Sequence, residues 1–152
     1  MNIQIDSREK AKAIKKIIKE FDKNKIEYIV SKLYVGDYMN YDNPRLIIDR
    51  KQNLNELCGN VIQQHKRFKN EIERANKMGI KIIFLVEHGE DITCLKDIIK
   101  WYNPRLRVSP RALRGVTLFK ILTTLKKENN CDFVFCNKNE TGKKIIELLK
   151  NN

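Results

Sequence analysis

The chain has 152 residues, 41% of them hydrophobic and 33% charged, with a formal net charge of +12. That balance predicts one globular domain over residues 1–152 and excludes a disordered chain or two full domains. The basic excess asks for a polyanionic partner. No apolar run approaches the ~18 residues of a membrane span, so nucleic acid is favoured over a membrane surface.

The N-terminus enters a strand at Ile3-Gln4-Ile5 with no signal-peptide pattern, which predicts a cytoplasmic protein. That strand delivers Asp6 at its carboxyl end. Ile14, Ile17, Ile18 and Phe21 then recur at helical spacing and predict an amphipathic helix over 8–23 with a lysine-rich outer face. Residues 26–33 read as a strand that forms an antiparallel meander with the runs at 35–39 and 45–51. Leu54, Leu57, Cys58, Val61, Ile62, Phe68, Ile72 and Ala75 predict one long helix. Gly79 stops it, and residues 81–87 form a continuous apolar strand of the kind buried on both faces. A helix over 91–102 follows, with Trp101 read as core.

Residues 103–115 contain Arg105, Arg107, Arg111 and Arg114 and no acid. Ser109-Pro110 reads as a helix start, with serine as N-cap and proline in the first turn, and the helix runs to about Glu128. A helix N-terminus among unpartnered arginines suits phosphate, so these four are expected to contact the DNA backbone. Gly115 either relaxes the helix or admits close packing. Residues 132–136 form a last strand and 145–149 a closing helix. Thr141-Gly142-Lys143 lacks the first glycine of a P-loop. Cys58, Cys94, Cys131 and Cys136 have no zinc spacing and read as small core hydrophobes, and His65 and His88 form no ligand pair. The order predicts an α/β fold, a mixed central sheet flanked by helices.

The chemistry concentrates in residues 35–51. Apolar runs flank Asn40-Tyr41-Asp42-Asn43-Pro44, a turn-forming segment, so the stretch reads as a β-hairpin. Side chains alternate along a strand, which places Asp49 and Lys51 on one face and Arg50 on the other. Any register that pairs odd with odd positions sets Asp37 on the Asp49 face, directly opposite or one diagonal step away. Opposed carboxylates repel. A divalent cation between them removes that penalty, and two acids with a lysine suit metal-dependent phosphodiester hydrolysis. Asp49 also follows Leu46-Ile47-Ile48, where an acid is rare unless paired or metal-bound.

Gly36-Asp37, then Asp49-Arg50-Lys51, resembles the signature of the XPF/Hef-type nuclease domains of the PD-(D/E)xK superfamily. Ile5-Asp6-Ser7-Arg8-Glu9 fits the opening strand of that family, and Arg67-Phe68-Lys69-Asn70-Glu71 fits a helix that follows in relatives. Asp49 replaces the usual Glu, and Asn55 stands where the family has its last Asp. The resemblance implies a restriction-endonuclease-like fold and a Mg²⁺-dependent endonuclease, with Mn²⁺ as a substitute ion, that cuts branched DNA. In that scheme Asp37 and Asp49 hold the metal, and Asp6 is a third ligand or positions water. Lys51 orients the attacking water, while Arg50 and Arg8 grip phosphates. The helix after the hairpin lines the cleft in relatives, which makes Gln64 and Arg67 further phosphate contacts. A local Arg67–Glu71 ion pair is the plainer alternative for that helix.

The resemblance also implies a homodimer, paired through the helices around Leu113–Leu125 and Ile145–Leu149. The chain looks like stand-alone versions without helix-hairpin-helix modules. The rival reading is an inactive nuclease-fold DNA-binding module, hinted at by Asn55 and by the change of Glu to Asp at position 49. An RNA-binding protein is disfavoured because the aromatics follow core periodicity.

Overall fold

A computed structural model describes residues 1–89 and 91–151. Its strands are β1 (Asn2–Ile5), β2 (Glu27–Val30), β3 (Tyr38–Asn40), β4 (Asn43–Lys51), β5 (Lys81–Glu87) and β6 (Cys131–Cys136). The helices are α1 (Lys15–Lys23), α2 (Leu54–Ile62), α3 (His65–Lys77), α4 (Gly115–Glu128) and α5 (Thr141–Asn151). The strands form one mixed sheet in the order β2-β1-β3-β4-β5-β6, flanked by helices as the α/β reading expects.

One face of the sheet packs on α2, α3 and α4. Ile47, Phe84 and Phe133 meet Leu54, Phe68, Ile72 and Leu118 there, and Phe84 lies 5.0 Å from the Phe68 ring and 5.2 Å from the Phe133 ring, centre to centre. The other face carries α1 and α5, with Phe21, Ile17, Ile145 and Leu149 packed on Ile5, Tyr38, Ile48 and Leu85. Each such side chain contributes roughly 1.5–3 kcal/mol when removed from water. β4 is buried without a break from Leu46 to Lys51, as a central strand covered on both faces must be. Ile47 points to the α2–α3 face, so Asp49 and Lys51 do too, while Ile48 and Arg50 point to the α1–α5 face.

The sequence-based elements shift in several places. Residues 26–33 do not join a meander. β2 instead pairs parallel with β1 on its far side, because α1 carries the chain across the sheet as parallel pairing requires. α1 starts at Lys15, since the Asp6 carboxylate accepts from the Arg8 N–H and the Asp6 carbonyl accepts from the Glu9 N–H. Those bonds close turns in place of a first helical turn.

The long helix breaks at Gln63-Gln64, where both N–H groups donate to the Gly59 carbonyl, and α3 begins afresh at His65. Residues 91–102 yield only a 3-10 turn, Leu95–Lys100, although Trp101 is buried as read. Ser109-Pro110 starts no helix. Asn103 is fully buried and clasps the loop, accepting from Arg105 N–H and donating to the Leu113 carbonyl, so α4 begins at Gly115. Gly115 is there for close packing: a Cβ would collide with the carbonyl oxygens of Ile98 and Trp101. Cys58, Cys131 and Cys136 are buried, whereas Cys94 is exposed.

Gly36 governs the entry to β3. Its φ of +72° lies in the left-handed region, and a Cβ would collide with Cγ2 of Ile47. Gly36→Ala is expected to destabilise the fold by at least about 1–3 kcal/mol, the usual cost of such backbone strain, before the collision is counted. Urea unfolding of the purified variant measures it.

Candidate active site

β3 pairs antiparallel with β4 through Tyr38↔Ile48 and Met39↔Ile47. Continued one residue toward Gly36, this register sets Asp37 against Asp49, the odd-with-odd pairing that the sequence pattern requires. The Asp37 backbone is fixed by its N–H to the Ile48 carbonyl and its carbonyl to the Asp6 N–H, each at 2.8 Å. Its Oδ2 accepts from the Arg50 N–H at 2.8 Å. Burial, Asp49 and Glu9 push the Asp37 carboxyl up to about 8. Lys51 Nζ lies 3.0 Å from Asp49 Oδ1 and near 6 Å from the Phe68 and Phe84 rings. Burial works against its ammonium, but Asp49 outweighs that, and the lysine is held charged.

A third carboxylate joins them from α3. Glu71 accepts from the Gly36 N–H and shares a hydrogen bond with Asp49, and burial followed by Asp49 pushes it up to about 7. Sequence reasoning treated Glu71 as an Arg67 partner. The missed signal is phase: Glu71 lies three residues past the buried Phe68, on the face that α3 turns to the sheet. Asp37, Asp49, Lys51, Glu71 and Arg8 line a cleft of about 320 Å³.

Two expected site residues have other occupations. Asp6 is fully buried with both oxygens engaged: Oδ1 accepts from Leu33 N–H at 2.8 Å, and Oδ2 from Arg8 Nε at 2.6 Å. Burial opposes its charge, but these donors prevail and hold the carboxyl below its usual range. It fixes the loop after β1 and does not line the cleft. Arg50 is buried on the opposite face, bound by Glu9 at 2.8 and 2.9 Å and by Glu87 at 3.2 Å. Its guanidinium holds the sheet to the N-terminal loop, and Arg50 and Glu9 still line the cleft that Asp37, Asp49 and Lys51 share. Arg8 keeps its place, 59% exposed at the cleft mouth.

Gln64 and Arg67 line a groove that shares Arg8 and Glu71 with the cleft and adds Lys66 and Arg74. The local Arg67–Glu71 pair does not form, because Glu71 turns to Asp49. The four arginines of the 103–115 stretch separate: Arg105 and Arg111 line one hollow, Arg114 another beside Tyr102 and Val116, and Arg107 neither. Among the described residues none of the four has an acidic partner within salt-bridge distance, as expected of phosphate contacts. Asn55 Oδ1 is buried without a hydrogen-bond partner.

The donor set fits a hard divalent cation. Three oxygen-bearing acids converge, and burial followed by repulsion from Asp49 raises the proton affinity of Asp37 and Glu71, which a cation would relieve. Among the described residues no three acids, histidines or cysteines form a ready-made cage. Mg²⁺ is usually held by one or two carboxylates together with substrate phosphate, a number that Asp37 and Asp49 can supply.

The sequence matches the ERCC4 domain family over residues 5–148. Two solved structures share the fold. XPF from Aeropyrum pernix superposes with a TM-score of 0.68 at 16% identity, covering 99% of this chain and 64% of that one. XPF from Aeropyrum pernix in complex with DNA gives 0.67 at 17% identity, covering 98% and 63%. The chain therefore spans less than two thirds of the length of these structures. No curated protein sequence matches it. Among the described residues no helix is long and apolar enough to cross a membrane.

The raised carboxyls carry a signed pH dependence. Between the ordinary carboxylate range and about pH 8 the folded chain binds protons that the unfolded chain has released, so stability falls as pH rises through that window. Melting temperatures in chelator from about pH 5 to about pH 8 should decline. Asp37→Asn should flatten most of that decline by removing the more strongly shifted group.

Proposed function

The chain belongs to the ERCC4 domain family, and we propose that it is a metal-dependent endonuclease that cuts branched DNA such as flaps, forks or junctions. The observation that supports this most is the convergence of Asp37, Asp49 and Glu71 with the charged Lys51 at one end of β4. No structural need explains gathering three carboxylates that repel one another in a cleft.

Asp37 and Asp49 would hold the cation, Mg²⁺ or Mn²⁺ in its place, with Glu71 able to complete the set. Bound there it would supply a water of lowered pKa and offset charge on the phosphate. Lys51, pinned 3.0 Å from Asp49, orients the attacking oxygen and offsets charge as it builds on phosphorus. Arg8, Gln64 and Arg67 bind the phosphates on either side, along the groove that opens from the cleft. The A. pernix XPF complex with DNA supports the polyanion as ligand. An inactive binding module remains the rival, hinted at by Asn55 in place of the family's last Asp and by Asp49 in place of its usual Glu.

Asp49→Asn should reduce Mg²⁺-dependent cleavage of a flap or fork substrate by more than about 100-fold, since loss of a metal ligand costs at least as much as loss of its supports. DNA affinity should hold or rise, because a negative charge beside phosphate is gone. Cleavage within about tenfold of wild type sinks the metal assignment and favours the rival. Lys51→Ala should lose cleavage yet keep metal binding by calorimetry.

A second copy of the chain is the proposed partner, though not through α5. Ile145 and Leu149 are buried, and Ile146 and Leu148 pack against that same core, so the closing helix is used up within the chain. The open apolar surface instead surrounds the start of α4: Ile99, Tyr102, Val108 and Val116, with Val108 86% exposed. Sedimentation at micromolar concentration should show a dimer, and Tyr102→Asp with Val116→Asp should shift it to monomer. A wild-type monomer with full cleavage ends the idea.

A further inference from the structure

A second cavity lies beyond the basic groove, on the side away from the acids. Its volume is about 180 Å³, below the ~300 Å³ at which pockets for drug-sized ligands begin, and suited to one planar ring system. Gly59, Ile62, Ala112 and Leu113 give it an apolar lining, and Arg105 and Arg111 stand at its rim. Gln63 lines both this cavity and the groove, and the groove shares Arg8 and Glu71 with the acidic cleft. The three therefore neighbour one another in turn, joined by shared lining residues on either side of the α2–α3 break.

Gly59 is the telling residue. It sits inside α2, where glycine weakens a helix relative to alanine. No protein contact requires it, for a Cβ built there meets only Gln63 Oε1 at 3.9 Å and projects into open space. A side chain at this position would occupy the cavity. Ile62, at the same helix end, is 55% exposed with nothing over it. The two rim arginines have no acidic partner among the described residues, and Arg105 lies close enough to favour the Cys58 thiolate. The cavity thus offers an apolar slot beside two free cations.

We propose that this cavity receives one unstacked nucleobase from the single-stranded arm of a branched DNA, with Arg105 and Arg111 on the adjoining phosphates. The proposal rests on the DNA reading above and deepens it, because an apolar slot with a cationic rim tells an unpaired base from a paired one. Stacked bases in a duplex cannot enter, whereas a free strand leaving the cleft along the groove reaches the slot directly.

Fluorescence anisotropy without divalent metal tests it, using a labelled flapped duplex, the matching blunt duplex, and flaps with an abasic site stepped through each arm position. One abasic position should weaken binding by about fivefold, at or below the low end of the scale for a base stacked on an aromatic ring because the slot holds none, while its neighbours change little. Gly59→Leu should weaken flap binding by a similar factor, remove the sensitivity to that abasic position, and leave blunt-duplex affinity within about twofold. Gly59→Ala guards against misfolding: it should raise the melting temperature while losing part of the flap preference. Abasic sites without effect at every position, or flap binding unchanged in both variants, overturn the slot. If those results come with Mg²⁺-dependent cleavage intact, the endonuclease reading survives the slot's failure. Flap binding lost on Gly59→Leu in a protein that cuts nothing supports the slot and removes the nuclease.

Discussion

A strand that ends Asp49-Arg50-Lys51 in the middle of a sheet covered on both faces has to neutralise three charges in a low dielectric. Buried ions are tolerated only when each is paired and hydrogen-bonded, and alternation sends them to opposite faces. On one face Lys51 answers Asp49 at 3.0 Å. On the other, Arg50 is bound by Glu9 from the loop after β1 and Glu87 from the end of β5, and Glu87 in turn accepts from Thr141 Oγ1 at the start of α5. A single guanidinium thereby ties the first loop, the neighbouring strand and the last helix to the strand that carries the acids. Removing it leaves Glu9 without an ion partner and Glu87 with only the Thr141 hydroxyl, which is why this pairing comes before the chemistry in any account of the fold.

That linkage also explains which residues were legible in the sequence. Alternation along β4 and the turn at 40–44 were enough to place Asp37, Asp49 and Lys51 together, because both are local constraints. The α/β class followed from periodicity in the same way. Partner choice is not local. Arg50 and Asp6 were assigned to phosphate and metal because their motif positions suggest it, yet Glu9 and Glu87 claim the one and Arg8 and Leu33 the other. Glu71 was hidden by the opposite error, since a plausible partner four residues away masked a tertiary one.

Element ends failed for related reasons. Apolar spacing runs unbroken through Gln63-Gln64, but the backbone there folds two N–H groups onto one carbonyl and starts a new helix. Ser109-Pro110 has good helix-start chemistry and is overruled by Asn103, a buried amide whose hydrogen bonds hold the loop closed as far as Leu113. β2 has the composition of a strand but no local feature that says which neighbour it joins. In each case a long-range bond outweighed a local preference.

β2 also decides how the molecule meets its own kind. It closes one side of the sheet with an open ladder of amide groups, and Ile29 and Val30 stand 51% and 60% exposed along it. An uncovered edge with β-branched side chains is a template for another extended segment, including one from an unfolded copy. Its four-residue length and the nearby Lys25, Glu27 and Lys32 restrain such pairing to a short ladder between charged ends. A few surface charges around one short strand therefore guard the sheet's open edge, far from the acids and independent of the core.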